Sequence, residues 1–174
     1  MMERRRGTDV QVLMGVLNGA QHLPAQLGSL AAQRDVEWRL TVSDDGSGDG
    51  SDTVINRFAA DHPGRVERLV APRRGACGNF LSLLAGAKEG VVALADQDDV
   101  WLRGKLSRAA LMLGAVPADV PALYFARRWV WWPDTGQLQP EASGAVRPGF
   151  GNALVENIAP DARDGASGGR RLCA

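Results

Sequence analysis

Strand-like and helix-like segments alternate through roughly the first two thirds of the chain, and this alternation constrains the fold more than any other feature. Short segments rich in apolar and β-branched residues are predicted as strands: 10–17, 37–43, 65–71 and 91–95. Each is followed by apolar residues at helical spacing, starting from Leu23, Val54, Phe80 and Leu102. The order β-α-β-α-β-α-β-α predicts an α/β fold in which helices flank a mostly parallel sheet.

Carboxylates lie at the ends of two of these predicted strands. Asp44 and Asp45 follow the second strand, and a run from Asp96 to Asp99 follows the fourth. The fourth strand is unbroken in its apolar sequence, as is expected of a strand covered on both faces. In parallel sheets, ligands bind outside the carboxyl ends of the strands. We therefore predict a ligand site built from these two acidic elements.

The acidic element after the fourth strand has the composition of a divalent metal site. If residues 94–98 remain extended, Asp96 and Asp98 point to the same side and Gln97 points away. The two carboxylates would then form part of a shell for Mg²⁺ or Mn²⁺, which water and a diphosphate would complete. The alternative is a solvated turn that caps the next helix, but the position after a buried strand favours the metal site.

The acidic element after the second strand belongs to the segment SDDGSGDGS, whose composition is typical of a strand-to-helix loop. Ser51 or Asp52 is predicted to cap the helix that follows. If the loop fixes Asp45, its carboxylate can accept a hydrogen bond from the N3–H of a uracil or thymine ring.

The composition argues against several classes of protein. A chain of 174 residues is long enough for one domain, and 20 basic against 20 acidic side chains leave no net charge that would attract nucleic acid. Two cysteines outside any metal-binding spacing indicate a reduced, cytoplasmic protein. No apolar run approaches the roughly 18 residues that span a bilayer, although a peripheral association with the inner face of the membrane is left open.

The pattern changes towards the end of the chain. Residues 122–140 are rich in aromatic side chains and predict one or two strands, or a hairpin with its turn at 134–136. The tryptophans here suit either a sugar-binding platform or sheet packing. Residues 149–159 predict a short helix. Residues 159–174 contain too little apolar surface to offset the entropy of ordering, so we predict a disordered tail there, and another at 1–9.

Four segments occur in an order that resembles a known family: VLMGVLNG, VSDDGSGDGSDTV, GNFLSLL and LADQDDVWLRGKL. Together they closely resemble the family 2 glycosyltransferases, which have the fold called GT-A. The most similar branch is the bacterial rhamnosyltransferase-like group that builds cell-surface polysaccharides. The resemblance covers about residues 10–158, which would form one nucleotide-sugar-binding domain with an incomplete acceptor half.

The resemblance implies roles for particular residues. Asp45 would contact the pyrimidine base, and Asp96 and Asp98 would be the catalytic pair that binds the ribose and the metal–diphosphate, with Asp98 as the direct metal ligand. The cofactor would be Mg²⁺ or Mn²⁺. The residues expected to contact the substrate are Gly15, Asn18, Asp44, Asp45, Asn79, Asp96, Gln97 and Trp101.

The resemblance also implies an activity. A sugar, with rhamnose as the candidate, would pass from a dTDP or UDP sugar to a cell-surface polysaccharide or lipid-linked acceptor, with inversion at the anomeric carbon. Members of this branch continue well beyond Pro160, where the match stops here, and carry their general base in that later part. We therefore expect a fragment or a shifted reading frame, with the general base absent from this chain.

Two alternatives stand beside this interpretation. One is a truncated, non-catalytic remnant that at most binds nucleotide. The other is a sugar nucleotidyltransferase, which shares the architecture. That class normally carries a glycine-rich loop with arginine and lysine after the first strand, and the segment NGAQHL has no such loop.

Overall fold

Strands and helices alternate along the chain as the sequence predicts. The computed structural model describes residues 9–71, 73, 75–88, 90–124, 126, 128–132, 134–140 and 170–173. The elements are β1 (Asp9–Val16), α1 (Leu23–Ala31), β2 (Glu37–Asp44), α2 (Ser51–Asp61), β3 (Val66–Val70), α3 (Gly75–Ala85), β4 (Val91–Ala95), β5 (Asp99–Trp101), α4 (Lys105–Gly114), β6 (Arg128–Trp132), β7 (Gln137–Pro140) and β8 (Arg170–Cys173). In the described part of the chain, no helix has the length and apolar character needed to cross a membrane.

The first four strands form one sheet in the order β3-β2-β1-β4. The central strand, β1, pairs with β2 along its whole length and with β4 over residues 10–14, and every pairing in this sheet is parallel. The carboxyl ends of the four strands therefore lie at one edge. The chain runs from β1 to β3 on one side and then crosses to β4 on the other. The topological switch point, where such sheets bind ligands, thus lies between β1 and β4.

The main core lies on one face of this sheet, against α1, α2 and α4. Alternate residues of β1 and β2 point to this face, as the pleat of a strand requires. The almost fully buried side chains of this core include Val12, Met14, Leu23, Leu40, Ile55 and Leu106. The helix α3 covers the other face, where Leu13 and Leu83 are both completely buried.

The coverage of β4 differs from the prediction. Its unbroken apolar sequence predicts burial on both faces, but Leu94 is 54% exposed. The reason is the strand order: β4 is at one end of the described sheet, and α3 packs over β1 and β2 instead. The prediction of two-sided burial is wrong for the described part of the chain.

A second sheet has the strand order β5-β8-β6-β7. Its strands β6 and β7 form the predicted hairpin, with Gly136 in the turn at φ +68°. The strand β8 pairs with both β5 and β6, so the prediction of a disordered tail is wrong for Arg170–Cys173. Backbone hydrogen bonds to two neighbours order this segment despite its small apolar surface. Of the predicted tail at 1–9, Asp9 is the first residue of β1, so the prediction is wrong for that residue. Residues 1–8, the predicted helix at 149–159 and residues 160–169 lie outside the described residues.

The end of α1 fixes the segment that follows β4. The Oγ of Ser29 accepts a hydrogen bond from the Trp101 N–H at 2.9 Å. The side chain of Gln33 donates to the Leu102 carbonyl at 2.9 Å and accepts from the Leu106 N–H at 3.0 Å. The second of these bonds satisfies a backbone donor in the first turn of α4. Together they hold β5, and the acidic turn that precedes it, against α1.

Candidate functional site

Acidic residues flank the carboxyl end of β1 on both sides. In the sheet register, Asp44 lies opposite Val16, and Ala95, the residue before Asp96, lies opposite Met14. Neighbouring strands are about 4.8 Å apart, so the backbones of Asp44 and Asp96 are separated by roughly 10 Å across β1. The structure thus brings the two acidic elements to the same edge of the sheet.

Two aspartates organise the loop after β2. The Oδ1 of Asp44 accepts hydrogen bonds from the N–H groups of Gly46 at 3.0 Å and Ser47 at 2.8 Å, so it folds the loop. The Oδ2 of Asp45 accepts a hydrogen bond from the Gly75 N–H, at the start of α3, at 3.0 Å. The Asp45 Oδ1 is buried and has no hydrogen-bond partner among the described residues. Leaving such an atom unpaired is costly, which makes it a candidate acceptor for a ligand.

The predicted N-cap of α2 is wrong. Gly50, in the left-handed conformation with φ +93°, precedes Ser51, the first helical residue. Glycine adopts this conformation without steric cost. The Ser51 Oγ is occupied instead, since it accepts the Gly19 N–H at 2.9 Å and donates to Asp49 Oδ1 at 2.6 Å. Asp49 Oδ2 in turn accepts the Ala20 N–H at 2.9 Å. The start of α2 therefore holds the loop that follows β1.

Asn18 completes the connection between the two loops. Its N–H donates to the Ser47 Oγ at 2.8 Å, and its Oδ1 accepts the Gly48 N–H at 3.0 Å. Asn18 has a φ of +49°, a left-handed conformation that asparagine tolerates better than most residues. Asn18, which was predicted to contact the substrate, thus connects the loops after β1 and β2 into one unit.

Asp49 makes the stability of this unit dependent on pH. The hydroxyl of Ser51 and the backbone N–H of Ala20 hold the pKa of Asp49 below its usual value of 3.8. The stabilisation from a lowered pKa is complete above the usual value and is lost as the pH falls below it. We expect Asp49→Ala to lower the urea midpoint of unfolding at neutral pH. The difference in urea midpoint between the variant and the native protein, called the gap below, should narrow below pH 3.8. A gap that stays constant through the acidic range would contradict this expectation.

The acidic element after β4 is not extended. β4 ends at Ala95, and Gln97 and Asp98 lie in a turn, so the predicted side-chain alternation over 94–98 does not apply. Asp96 is exposed and Asp98 is half-buried. Across the described ranges, no group of three or more His, Cys, Asp or Glu side chains could hold a metal ion. The turn presents carboxylates at the strand end without forming a complete metal site by itself.

Gln97 connects this turn to the loop after β1. Its Oε1 accepts the Leu17 N–H at 2.9 Å, and its Nε2 donates to the Leu17 carbonyl at 3.0 Å. Gly19 lies against the same amide, because a Cβ built on Gly19 would be 2.5 Å from Gln97 Oε1. The family resemblance predicts that Gln97 contacts the substrate. In the structure, both polar ends of its amide are hydrogen-bonded to the backbone of Leu17.

Replacing Gly19 by alanine is expected to destabilise the protein by about 1–2 kcal/mol, because the new Cβ overlaps an amide that is held at both ends. Gly28 is the matched control. It is exposed in α1 with nothing within 4 Å of its Cβ position, so Gly28→Ala should stabilise by about 0.5–1 kcal/mol. Urea unfolding measures both effects. Equal stability of Gly19→Ala and the native protein would show that the contact with Gln97 is not fixed.

Three further residues predicted to contact the substrate have other neighbours. Asn79 is 2% exposed, and its Nδ2 donates to the Ser43 carbonyl at 3.0 Å. Gly15 makes room for this amide, since a Cβ there would be 3.3 Å from Asn79 Nδ2. Trp101 is 3% exposed and belongs to the main core, with the Lys105 ammonium 5.3 Å from its ring centroid. The burial of Trp101 favours a packing role. Asn79 Oδ1 is a buried acceptor that has no hydrogen-bond partner among the described residues.

Sequence reasoning missed two residues at this edge. The Nε of Arg73 would be 3.6 Å from a Cβ built on Gly46, which places a positive charge beside the loop that carries Asp45. Asp49 links two loops, as described above. Neither residue has a distinctive signal in the sequence. An arginine before a helix and an aspartate in a glycine-rich loop are ordinary residues of a solvated surface.

Comparison with known proteins identifies the family. The sequence profile described as Glycosyl transferase family 2 matches residues 11–166. The match continues past Pro160, where the resemblance was expected to stop.

Several curated relatives match part of the chain. An uncharacterized glycosyltransferase of Nostoc sp. is 32% identical over 99 residues, which cover 57% of this chain and 31% of the relative. A dTDP-rhamnosyl transferase of Shigella flexneri is 29% identical over 101 residues, covering 55% and 35%. A UDP-Glc:α-D-GlcNAc-diphosphoundecaprenol β-1,3-glucosyltransferase of Escherichia coli is 28% identical over 105 residues, covering 60% and 40%. The matched part thus spans between 31% and 40% of the length of these relatives.

Solved structures share the fold. The mannosyltransferase of Pyrobaculum calidifontis in complex with GDP-Man and Mn²⁺ is 26% identical with a TM-score of 0.57, covering 62% of this chain and 32% of its own. Residues 1–349 of TarS from S. aureus, in complex with UDP-GlcNAc, are 18% identical with a TM-score of 0.53, covering 70% and 39%. These similarities confirm the predicted GT-A fold. Since the profile covers most of the chain and the fold agrees with it, the chain belongs to glycosyl transferase family 2.

Proposed function

We propose that this chain binds the nucleoside diphosphate of a sugar donor, of dTDP or UDP type, at the carboxyl ends of β1, β2 and β4. Mg²⁺ or Mn²⁺ would accompany the donor, and the sugar, with rhamnose as the candidate, would pass to a polysaccharide or lipid-linked acceptor. Membership of the family supports a sugar-transfer reaction. Relatives named for dTDP-rhamnosyl transfer and for UDP-Glc transfer support the choice of a pyrimidine nucleotide.

The observation that carries this proposal is the state of the Asp45 carboxylate. The Gly75 N–H fixes one oxygen, and the other is buried without a partner among the described residues. A uracil or thymine ring has one imino donor, N3–H, which matches one available oxygen. Guanine presents N1–H and an amino group side by side, and such a pair is best matched by both oxygens of a carboxylate. Asp45 therefore favours a pyrimidine over guanine.

Asp96 and Asp98 would hold the metal ion. Carboxylate oxygens are the donors that Mg²⁺ and Mn²⁺ prefer, and the two residues lie in or beside one accessible turn at the end of β4. When bound, the ion would stabilise the charge that develops on the departing diphosphate. The similar mannosyltransferase was solved with Mn²⁺, which supports this assignment.

The described residues would hold the donor. Asp45 would orient the base, the linked loops after β1 and β2 would fix its position, and Arg73 would add positive charge beside it. In the proposed transfer, an acceptor hydroxyl attacks the anomeric carbon while the bond to the diphosphate oxygen breaks, so the configuration inverts. A general base must take the hydroxyl proton, and we assign no residue of this chain to that role.

Calorimetric titration with dTDP, UDP and GDP, each with and without Mn²⁺, tests the proposal. We expect dTDP or UDP to bind more tightly than GDP, and Mn²⁺ to strengthen that binding. If no nucleotide shows metal-dependent binding, the alternative of a non-catalytic remnant is favoured instead. A donor-turnover assay with a dTDP or UDP sugar then separates an enzyme from a binding protein.

A further inference from the structure

The Gln97 amide continues the pairing of β1 and β4 beyond the ends of both strands. The last ladder pair is Met14 with Ala95, and beyond it the side chain of Gln97 exchanges two hydrogen bonds with the backbone of Leu17. A neighbouring strand would use the same N–H and C=O groups of Leu17. The amide therefore bridges the switch-point crevice between β1 and β4, where a parallel sheet binds its ligands.

The loop after β1 is built to receive this amide. Gly19 is buried, and any side chain there would collide with Gln97 Oε1 and Cδ, at 2.5 and 2.8 Å from its Cβ position. The backbone N–H of Gly19 is used on the opposite side, where it donates to Ser51 Oγ at 2.9 Å. The loop is thus held from the β4 side by Gln97 and from the β2 side by the start of α2.

We infer that Gln97 is a positioning residue, which fixes the acidic turn relative to the loops that hold Asp45. The inference rests on the proposed function. A nucleoside diphosphate bound by Asp45 at its base and by Asp98 through a metal spans both elements, so their separation must be set before binding. Both polar ends of the Gln97 amide are engaged by Leu17, and we therefore assign its effect to that separation.

The inference predicts a loss of coupling between metal and nucleotide. Gln97→Met keeps the length and apolar volume of the side chain but removes both hydrogen bonds. We expect the strengthening of UDP or dTDP binding by Mn²⁺ to fall roughly tenfold, while binding without metal changes by less than about threefold. Titration calorimetry with and without Mn²⁺ measures both quantities.

Gln11 is the matched control. It is also half-buried, and its amide also makes two hydrogen bonds, to Thr41 Oγ1 at 3.1 Å and from the Lys88 N–H at 2.9 Å. It lies near the amino end of β1, away from the crevice. We expect Gln11→Met to lower the thermal midpoint to a similar extent as Gln97→Met and to leave the Mn²⁺ effect unchanged. A purely structural role for Gln97 would make the two variants behave alike.

The outcomes separate this inference from the proposed function. If the native protein shows no strengthening by Mn²⁺, the proposed function fails. If the native protein shows it and Gln97→Met retains it in full, the positioning role is overturned. Gln97→Asn is the second variant should Gln97→Met not fold. Asparagine keeps the amide but is one methylene too short to reach both Leu17 groups, so it must lose the strengthening as well.

Discussion

Replacing Asp98 by asparagine is expected to remove the Mn²⁺-dependent part of nucleotide binding. The proposed ion depends on carboxylate oxygens from the turn after β4, and asparagine offers a weaker, neutral ligand. We expect the ratio of UDP or dTDP affinities with and without Mn²⁺ to fall about a hundredfold, equivalent to about 2.7 kcal/mol. Binding without metal should change little, because Asp98 then faces no ion.

The control for Asp98→Asn is Asp119→Asn, which removes one charge from an exposed position in the segment after α4. It should leave both affinities unchanged. Asp96→Asn, measured beside it, reports whether the neighbouring carboxylate shares the ion. An unaltered Mn²⁺ effect in Asp98→Asn would exclude Asp98 as the direct ligand.

Replacing Asp45 by asparagine is expected to weaken nucleotide binding both with and without metal, by roughly tenfold to a hundredfold. The Gly75 N–H needs an acceptor, so the asparagine oxygen will take the place of Asp45 Oδ2. The amide nitrogen then occupies the position of Oδ1 and points a donor at the N3–H of the base. Two opposed donors cost more than a missing contact, because neither is satisfied.

Titration of UDP and dTDP measures this effect, and Asp61→Asn is its control, because Asp61 is exposed at the last residue of α2. The pattern across variants distinguishes the two aspartates. Asp45→Asn should lower both affinities by the same factor, whereas Asp98→Asn should lower only the one measured with Mn²⁺. Unchanged affinity in Asp45→Asn would show that its buried oxygen does not meet the base.

The strands and helices of the α/β part could be predicted because each carries its own periodicity. The predicted strands at 10–17 and 91–95 agree with β1 and β4 to within a residue. The exposure of Leu94 could not be predicted, because it depends on which strand is last in the sheet and on where α3 packs. An apolar run is compatible with either position, and neither the strand order nor the position of α3 has a local signal in the sequence.

The arrangement at the carboxyl ends was partly predictable. Parallel strands bring their ends together, which places Asp44 and Asp96 on either side of β1. The direction of Gln97 was not predictable, since it follows from a turn where an extended segment was expected. Ser51 has the chemistry of an N-cap, but its hydroxyl is engaged by Gly19 and Asp49, so a tertiary contact overrode a local preference.

The central position of β1 has a consequence for how the protein is made. A ribosome produces β1 first, and β2 and β3 can join it on one side as they emerge. The opposite edge of β1 stays open until Val91–Ala95 has been translated. A nascent chain stalled before that point exposes an unpaired edge of the kind that chaperones bind. The proposed metal-binding residues directly follow β4, so they are made together with the strand that fills the open edge of β1, and before α4 can cover the core.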